Sequence, residues 1–105
     1  MPDVLIDPQM RAYIALTAPG ILGVGGHTIT EPQSYSVVEK GLGSVSVYIC
    51  KVVSSSGKIA YAVEGSIPGY PVIRGLYVVD DPTEAVTKNI AEIMNARPIQ
   101  DDKIL

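Results

Sequence analysis

The clearest pattern of hydrophobic and polar positions lies in the middle of the chain, where apolar side chains recur at every second residue. Over residues 43–53 one face carries Val45, Val47, Ile49 and Val53, and the other face carries Ser44, Ser46, Tyr48 and Cys50. The same alternation resumes over residues 58–64, after the turn-forming segment 54–57. A period of two is typical of a half-buried β-strand, so the two segments are predicted to form a hairpin with a loop of about four residues.

A third strand is predicted after this hairpin, over residues 72–79. The connection, residues 65–71, contains Pro68 and Gly69. Proline presets φ for position i+1 of a type II turn, and glycine accepts the positive φ that position i+2 requires. We therefore expect a tight turn here, followed by a strand that continues an antiparallel meander.

The last predicted element is a helix over residues 82–96. Asp81 supplies an N-cap acceptor, Pro82 fits the first helical position, and Glu84 can bond back to the cap. The apolar stripe, at the spacing typical of an amphipathic helix, consists of Val86, Ile90, Ile93 and Met94. We expect this stripe to be buried against the sheet.

The N-terminal residues 1–34 have no comparable periodicity. Prolines and glycines are frequent there, a composition that disfavours a long helix and breaks strands into short pieces. Residues 11–17 are predicted to form a strand, residues 20–26 a flexible apolar loop or an irregular strand, and residues 27–30 a short strand. We expect this arm to depend on another chain for its order, because ordering the backbone costs about 1–2 kcal/mol per residue.

Together these elements predict the α+β class: an antiparallel β-meander packed on one C-terminal helix (about residues 82–96), with an extended Pro/Gly-rich N-terminal arm. At 105 residues the chain fits a single domain. Within it we expect an extended arm or irregular short strands over residues 1–34, the meander and helix over residues 35–96, and a C-terminal tail over residues 97–105.

Composition narrows the classes of function. Only 18% of the residues are charged, against about 25% in an average domain, which indicates either burial in an oligomer or a surface covered by Ser, Thr, Tyr and Gly. The net charge is −3 and the basic residues are scattered, so we expect no nucleic-acid partner. No signal-like segment and no apolar run of about 20 residues is visible. We expect a soluble protein, cytoplasmic or particle-associated, without membrane contact.

Candidate catalytic and metal-binding chemistry is sparse. His27 is the single histidine and Cys50 the single cysteine, so every Ser-His-Asp or Cys-His mechanism would need His27. No spacing of ligands indicates a metal site. The glycines of residues 20–26 lack the following helix that a phosphate-binding loop requires. We expect no enzyme activity and no cofactor; an enzyme that uses Pro2 as an N-terminal base is the third option.

About half of the chain resembles the fold pattern of HicB-like antitoxins. The resemblance lies in the hairpin of residues 45–65, the Ile67-Pro68-Gly69 turn and the helix of residues 81–94. It implies a small module that binds and neutralises a partner protein. In that family the helix follows the Pro-Gly closely, whereas here residues 70–79 supply a further strand.

The leading hypothesis is a non-enzymatic self-assembling structural or accessory subunit, for example of a virion or other large particle. Its terminal arms would contact other copies, or other protein subunits, through Arg11, Ile21, Leu22, Val24, His27, Ile104 and Leu105. The alternative is a small protein- or ligand-binding module of antitoxin or inhibitor type. Its binding loop would consist of Pro68, Gly69, Tyr70 and Arg74.

Overall fold

The structure, a computed structural model, describes residues 6–96 as two helices and four strands. In chain order these are α1 (Pro8–Leu22), β1 (His27–Glu39), β2 (Gly43–Ser54), β3 (Ile59–Ser66), β4 (Ile73–Tyr77) and α2 (Pro82–Ala96). The strands form one antiparallel sheet in the order β1-β2-β3-β4. The prediction of an α+β fold, with an antiparallel meander packed on a C-terminal helix, is confirmed.

The predicted hairpin is formed by β2 and β3, which pair from Val53 with Ile59 to Ser46 with Ser66. The turn that follows β3 also has the expected geometry. Gly69 has a φ of +87°, and the Tyr70 amide donates to the Ile67 carbonyl at 3.2 Å. A proline at position i+1 and a glycine with positive φ at position i+2 define the type II turn that the sequence predicts.

Helix α2 begins as predicted, because the Asp81 carboxylate accepts a hydrogen bond from the Thr83 amide at 3.0 Å. The face of the sheet that α2 covers is called the α2 face. Its core contains Val45, Val47, Ile49, Tyr61, Val63, Ile67, Tyr77, Ala85, Val86, Ile90 and Ile93. One residue of the predicted stripe differs: Met94 is 45% exposed and lines a surface depression beside Glu39.

The prediction of an extended N-terminal arm is wrong, because the helix α1 (Pro8–Leu22) lies in this segment. Residues 11–17 are not a strand but the middle of α1, whose first turn is capped by Asp7, with Pro8 at a position where its missing N–H costs nothing. Pro19 lies in the last turns of the helix, where its missing N–H removes one intrahelical hydrogen bond. Asp7-Pro8 thus acts on α1 as Asp81-Pro82 acts on α2.

Helix α1 packs on the opposite side of the sheet, which is called the α1 face. Its buried residues recur every four positions: Met10, Ile14, Ala18 and Leu22. They meet the sheet residues Cys50, Val52, Ala60, Ala62 and Leu76. Small side chains on β3 let α1 approach the sheet closely. Contacts within the same chain therefore order α1, and a second chain is not needed for this.

The two helices leave the edge strand β1 largely uncovered. Both pack mainly on β3 and β4, and both cores also include residues of β2. No residue of β1 is fully buried, although it is the longest strand of the sheet. Among residues 6–96, β1 is therefore the least covered strand, with Ile29 and Val37 packed only partly against the two cores.

Candidate functional site

The open part of the sheet is the edge formed by β1. This strand has 13 residues, whereas the opposite edge strand, β4, has five and is flanked by both helices. Within the described residues, no strand pairs with the outer side of β1. An edge strand presents unpaired backbone N–H and C=O groups, which can pair with another chain.

A bulge divides β1 into two parts. The register with β2 shifts between Thr30 and Gln33, and Glu31 has a φ of +53° there. Glu31 lies 3.9 Å from the Lys51 ammonium group, and Pro32 follows it without an N–H group to donate. The bulge and the proline interrupt the edge, so the longer uninterrupted part is residues 33–39.

Two hydrogen bonds show which backbone groups of β1 point away from the sheet. The Glu39 carbonyl accepts from the Leu42 amide at 3.0 Å, and the Gly26 carbonyl accepts from the Ser55 amide at 3.1 Å, so both carbonyls point inward. The bulge inserts one extra residue, so the alternation is counted separately on each side of it. Backbone direction alternates along an antiparallel strand. Counting back from Glu39, the residues whose N–H and C=O point outward are Ser34, Ser36 and Val38.

The side chains of residues 33–38 carry no charge. Tyr35 and Val37 pair with Val47 and Val45 and therefore share the α2 face, where Tyr35 is 40% exposed. The α1 face of the same segment carries Ser34, Ser36 and Val38, and Val38 is 84% exposed. Natural edge strands are usually protected by charged residues, and this segment has none.

The α1 face next to β1 is lined by hydroxyl groups. A shallow depression of about 150 Å³ is bounded by Ser34, Ser46, Tyr48, Glu64 and Ser66. The Glu64 carboxylate is paired with the Arg74 guanidinium group, with Oε1 3.2 Å from Nε. The carboxylate that borders the depression is therefore part of an ion pair.

The structure separates the residues predicted to form an interface. Arg11 lies exposed on α1, Ile21 and Val24 are exposed near the connection from α1 to β1, and His27 begins β1 partly buried. Leu22 is buried in the core of its own chain against the sheet. Ile104 and Leu105 lie outside the described residues.

The residues of the predicted binding loop lie on two different faces. Tyr70 lines an apolar groove of about 120 Å³ together with Pro71, Ile73, Ile93 and Ala96, on the side of α2. Pro68 and Gly69 are exposed at the turn beside it. Arg74 lies on the α1 face, where it also donates to the Gln9 side chain at 3.0 Å.

Burial affects two of the groups that are capable of nucleophilic or acid–base chemistry. Cys50 is fully buried, and burial raises the pKa of its thiol to about 11, so the thiol stays protonated near neutral pH. Burial also raises the pKa of Tyr77 above its ordinary range, and its hydroxyl accepts from the Asn89 amide at 3.3 Å. Within residues 6–96, no group of His, Cys, Asp or Glu side chains is arranged to hold a metal ion.

No helix in the described part of the chain is long and apolar enough to cross a membrane. Comparison with known proteins gives no match to a family model, to a curated protein or to a solved structure.

The uncovered edge of β1 is the feature that the sequence reasoning missed. Residues 27–30 were predicted as a short strand, and Pro32 concealed their continuation, because a proline within a run of residues argues against a central strand. The β-prone residues Tyr35, Val37 and Val38 were the available signal. A proline is compatible with an edge strand, and β1 is an edge strand.

Proposed function

We propose that the protein is a non-enzymatic, self-assembling structural or accessory subunit, and that copies associate through the outer edge of β1. The observation that carries this proposal is a 13-residue edge strand in which no residue is fully buried and which carries no charge over residues 33–38. In a chain that remained alone, such an edge would be a site of uncontrolled strand pairing.

The backbone gives this surface its affinity. Ser34, Ser36 and Val38 each direct a donor and an acceptor outward. Pairing with a second strand would satisfy these groups, while the exposed Tyr35 and Val38 side chains would lose water to the neighbour. The low charged fraction of the whole chain, 18%, is consistent with a surface that is partly buried in an assembly.

The test is the molar mass of the intact protein by size-exclusion chromatography with light scattering, across a range of concentrations. The native chain should exceed the mass of 11.1 kDa expected for one copy. Ser36→Lys should reduce the mass to that of one copy, because it places a charge on the pairing edge. Ser46→Lys is the matched control, since Ser46 lies directly opposite Ser36 on the same face but one strand further in.

Equal loss of mass in both lysine variants would indicate stacking through the α1 face and would contradict assembly through the edge. A native chain of single-copy mass at every concentration would contradict self-assembly. The alternative of a small binding module would then be preferred, supported by the apolar groove beside Tyr70. The third option, an enzyme that uses Pro2, concerns a residue outside the described part of the chain.

A further inference from the structure

We propose that two copies pair β1 with β1 in antiparallel orientation, with Ser36 of each copy opposite Ser36 of the other. The result is a closed dimer with one continuous sheet of eight strands. This inference rests on the proposed function, and it adds the partner strand, its direction and its register.

The outward backbone groups select this register. Ser34, Ser36 and Val38 point outward, so the best pairing brings three such residues of one copy opposite three of the other. Ser36 opposite Ser36, with Ser34 opposite Val38 on either side, achieves this and forms about six backbone hydrogen bonds. In this register Pro32 and the bulge stay outside the ladder.

The neighbouring registers pair less well. Centring the pair on Tyr35 places Val38 opposite Pro32, which has no N–H group, and brings Glu31 opposite Glu39 of the second copy. Centring it on Val37 moves Ser34 opposite Lys40, which lies in the turn between β1 and β2. Each of these alternatives loses hydrogen bonds, and the first also opposes like charges.

The side chains fit the same register. Residues directly opposite each other in an antiparallel pair share a face. On the α2 face, Tyr35 of each copy lies opposite Val37 of the other, a favourable pairing of an aromatic with a β-branched side chain. On the α1 face Ser34 lies opposite Val38, and no charges oppose each other because residues 33–38 carry none.

A two-fold axis through the Ser36 pair uses the same part of β1, residues 33–39, in both copies. The remaining edge of each copy is β4, which is five residues long and flanked by both helices. Such an isologous contact closes on itself, so the product is a dimer and not an open filament.

Five single cysteine variants of the full chain test the register: Ser34→Cys, Tyr35→Cys, Ser36→Cys, Val37→Cys and Val38→Cys. Each is oxidised with oxidised glutathione, and the disulfide-linked dimer is quantified on a non-reducing gel. Directly opposed residues of a hydrogen-bonded pair have Cα atoms about 5.5 Å apart, within the range of a disulfide. The native chain is the control, because its Cys50 is fully buried.

The expected result is that Ser36→Cys alone becomes cross-linked, and that a mixture of Ser34→Cys and Val38→Cys chains gives the mixed disulfide. Cross-linking chiefly at another single position would overturn the register, and equal cross-linking at all five would show parallel pairing. Light scattering on the reduced variants separates these outcomes from failure of the proposed function. A dimeric mass without any cross-link places the contact elsewhere, and a single-copy mass overturns self-assembly together with the register.

Discussion

Asn89 of α2 packs directly over Gly65 of β3. A Cβ atom at Gly65 would overlap with the Asn89 side-chain oxygen and lie 2.8 Å from Cδ1 of Ile93. Asn89 is fully buried, and its side-chain nitrogen donates to the Ile73 carbonyl at 3.2 Å and to the Tyr77 hydroxyl at 3.3 Å. The missing side chain of Gly65 is thus what allows α2 to lie close to the sheet.

Gly65→Ala should therefore lower the free energy of unfolding by about 1–3 kcal/mol, because the added methyl group overpacks the contact with α2. Gly20→Ala is the matched control. Gly20 lies in α1 with open space around its Cα, so the same substitution there should raise stability by roughly 0.5–1 kcal/mol. Urea denaturation of the two variants and the native chain measures both effects.

The overlap with Asn89 predicts coupling between the two positions. In a chain that already carries Asn89→Ala, Gly65→Ala should cost at least about 0.5 kcal/mol less than in the native chain. Additive losses of stability in this double-mutant cycle would show that the methyl group added at Gly65 clashes with something other than the Asn89 side chain.

Helix α1 should be an integral part of the core. Ile14 is fully buried between α1 and the sheet, so Ile14→Ala should reduce the free energy of unfolding by about 2–5 kcal/mol. Leu16→Ala, two residues away and 82% exposed in the native chain, should change it by less than about 0.5 kcal/mol. Comparable small effects at both positions would instead support the prediction that the N-terminal arm depends on another chain for its order.

The bulge of β1 contains a residue in the left-handed region, Glu31. Asn tolerates this conformation better, so Glu31→Asn should raise the free energy of unfolding by roughly 0.3–1 kcal/mol. Glu31→Gln is the control, since it removes only the exposed ion pair with Lys51 and should change stability by less than about 0.5 kcal/mol. Thermal denaturation measures both effects. A loss of stability in the Glu31→Asn variant would contradict backbone strain at Glu31.

Stability should fall at alkaline pH. Burial raises the pKa of the Cys50 thiol to about 11 in the folded protein, so the unfolded chain releases this proton first as the pH rises. The stabilisation by the neutral thiol is fully present below the pKa of the unfolded chain and is lost as the pH approaches 11. Burial of Tyr77 acts in the same direction at higher pH.

Urea titrations between pH 8 and pH 11 measure this loss of stability. Cys50→Ala should show a shallower decline than the native chain, because it removes one of the groups that titrate. Identical slopes for the two proteins would show that the thiol does not contribute.

Much of the fold could be predicted because its signals are local. The Asp81 cap, the Pro68-Gly69 turn and the alternation along β2 and β3 each depend on residues close together in sequence. Helix α1 has the same kind of cap at Asp7, yet its signal was obscured. Apolar side chains such as Leu16 also lie on its exposed side, so the stripe that faces the sheet did not stand out.

The candidate site could not be derived in the same way, because an edge is a property of the whole sheet. Whether β1 is covered depends on where α1 and α2 pack, and both lie mainly over β3 and β4. The direction of the Ser36 backbone groups depends on the register with β2 and on the bulge at Glu31. None of these relationships is visible in the residues of β1 alone.

Amide hydrogen exchange, followed by NMR at high and at low protein concentration, tests assembly through the β1 edge most directly. The Ser34, Ser36 and Val38 amides should exchange slowly in the concentrated sample and rapidly after dilution, because no strand among residues 6–96 pairs with them and a second copy would. The Tyr35 and Val37 amides, which point towards β2, should stay protected in both samples. Rapid exchange of the three outward amides in a sample whose mass shows an assembly would contradict the account.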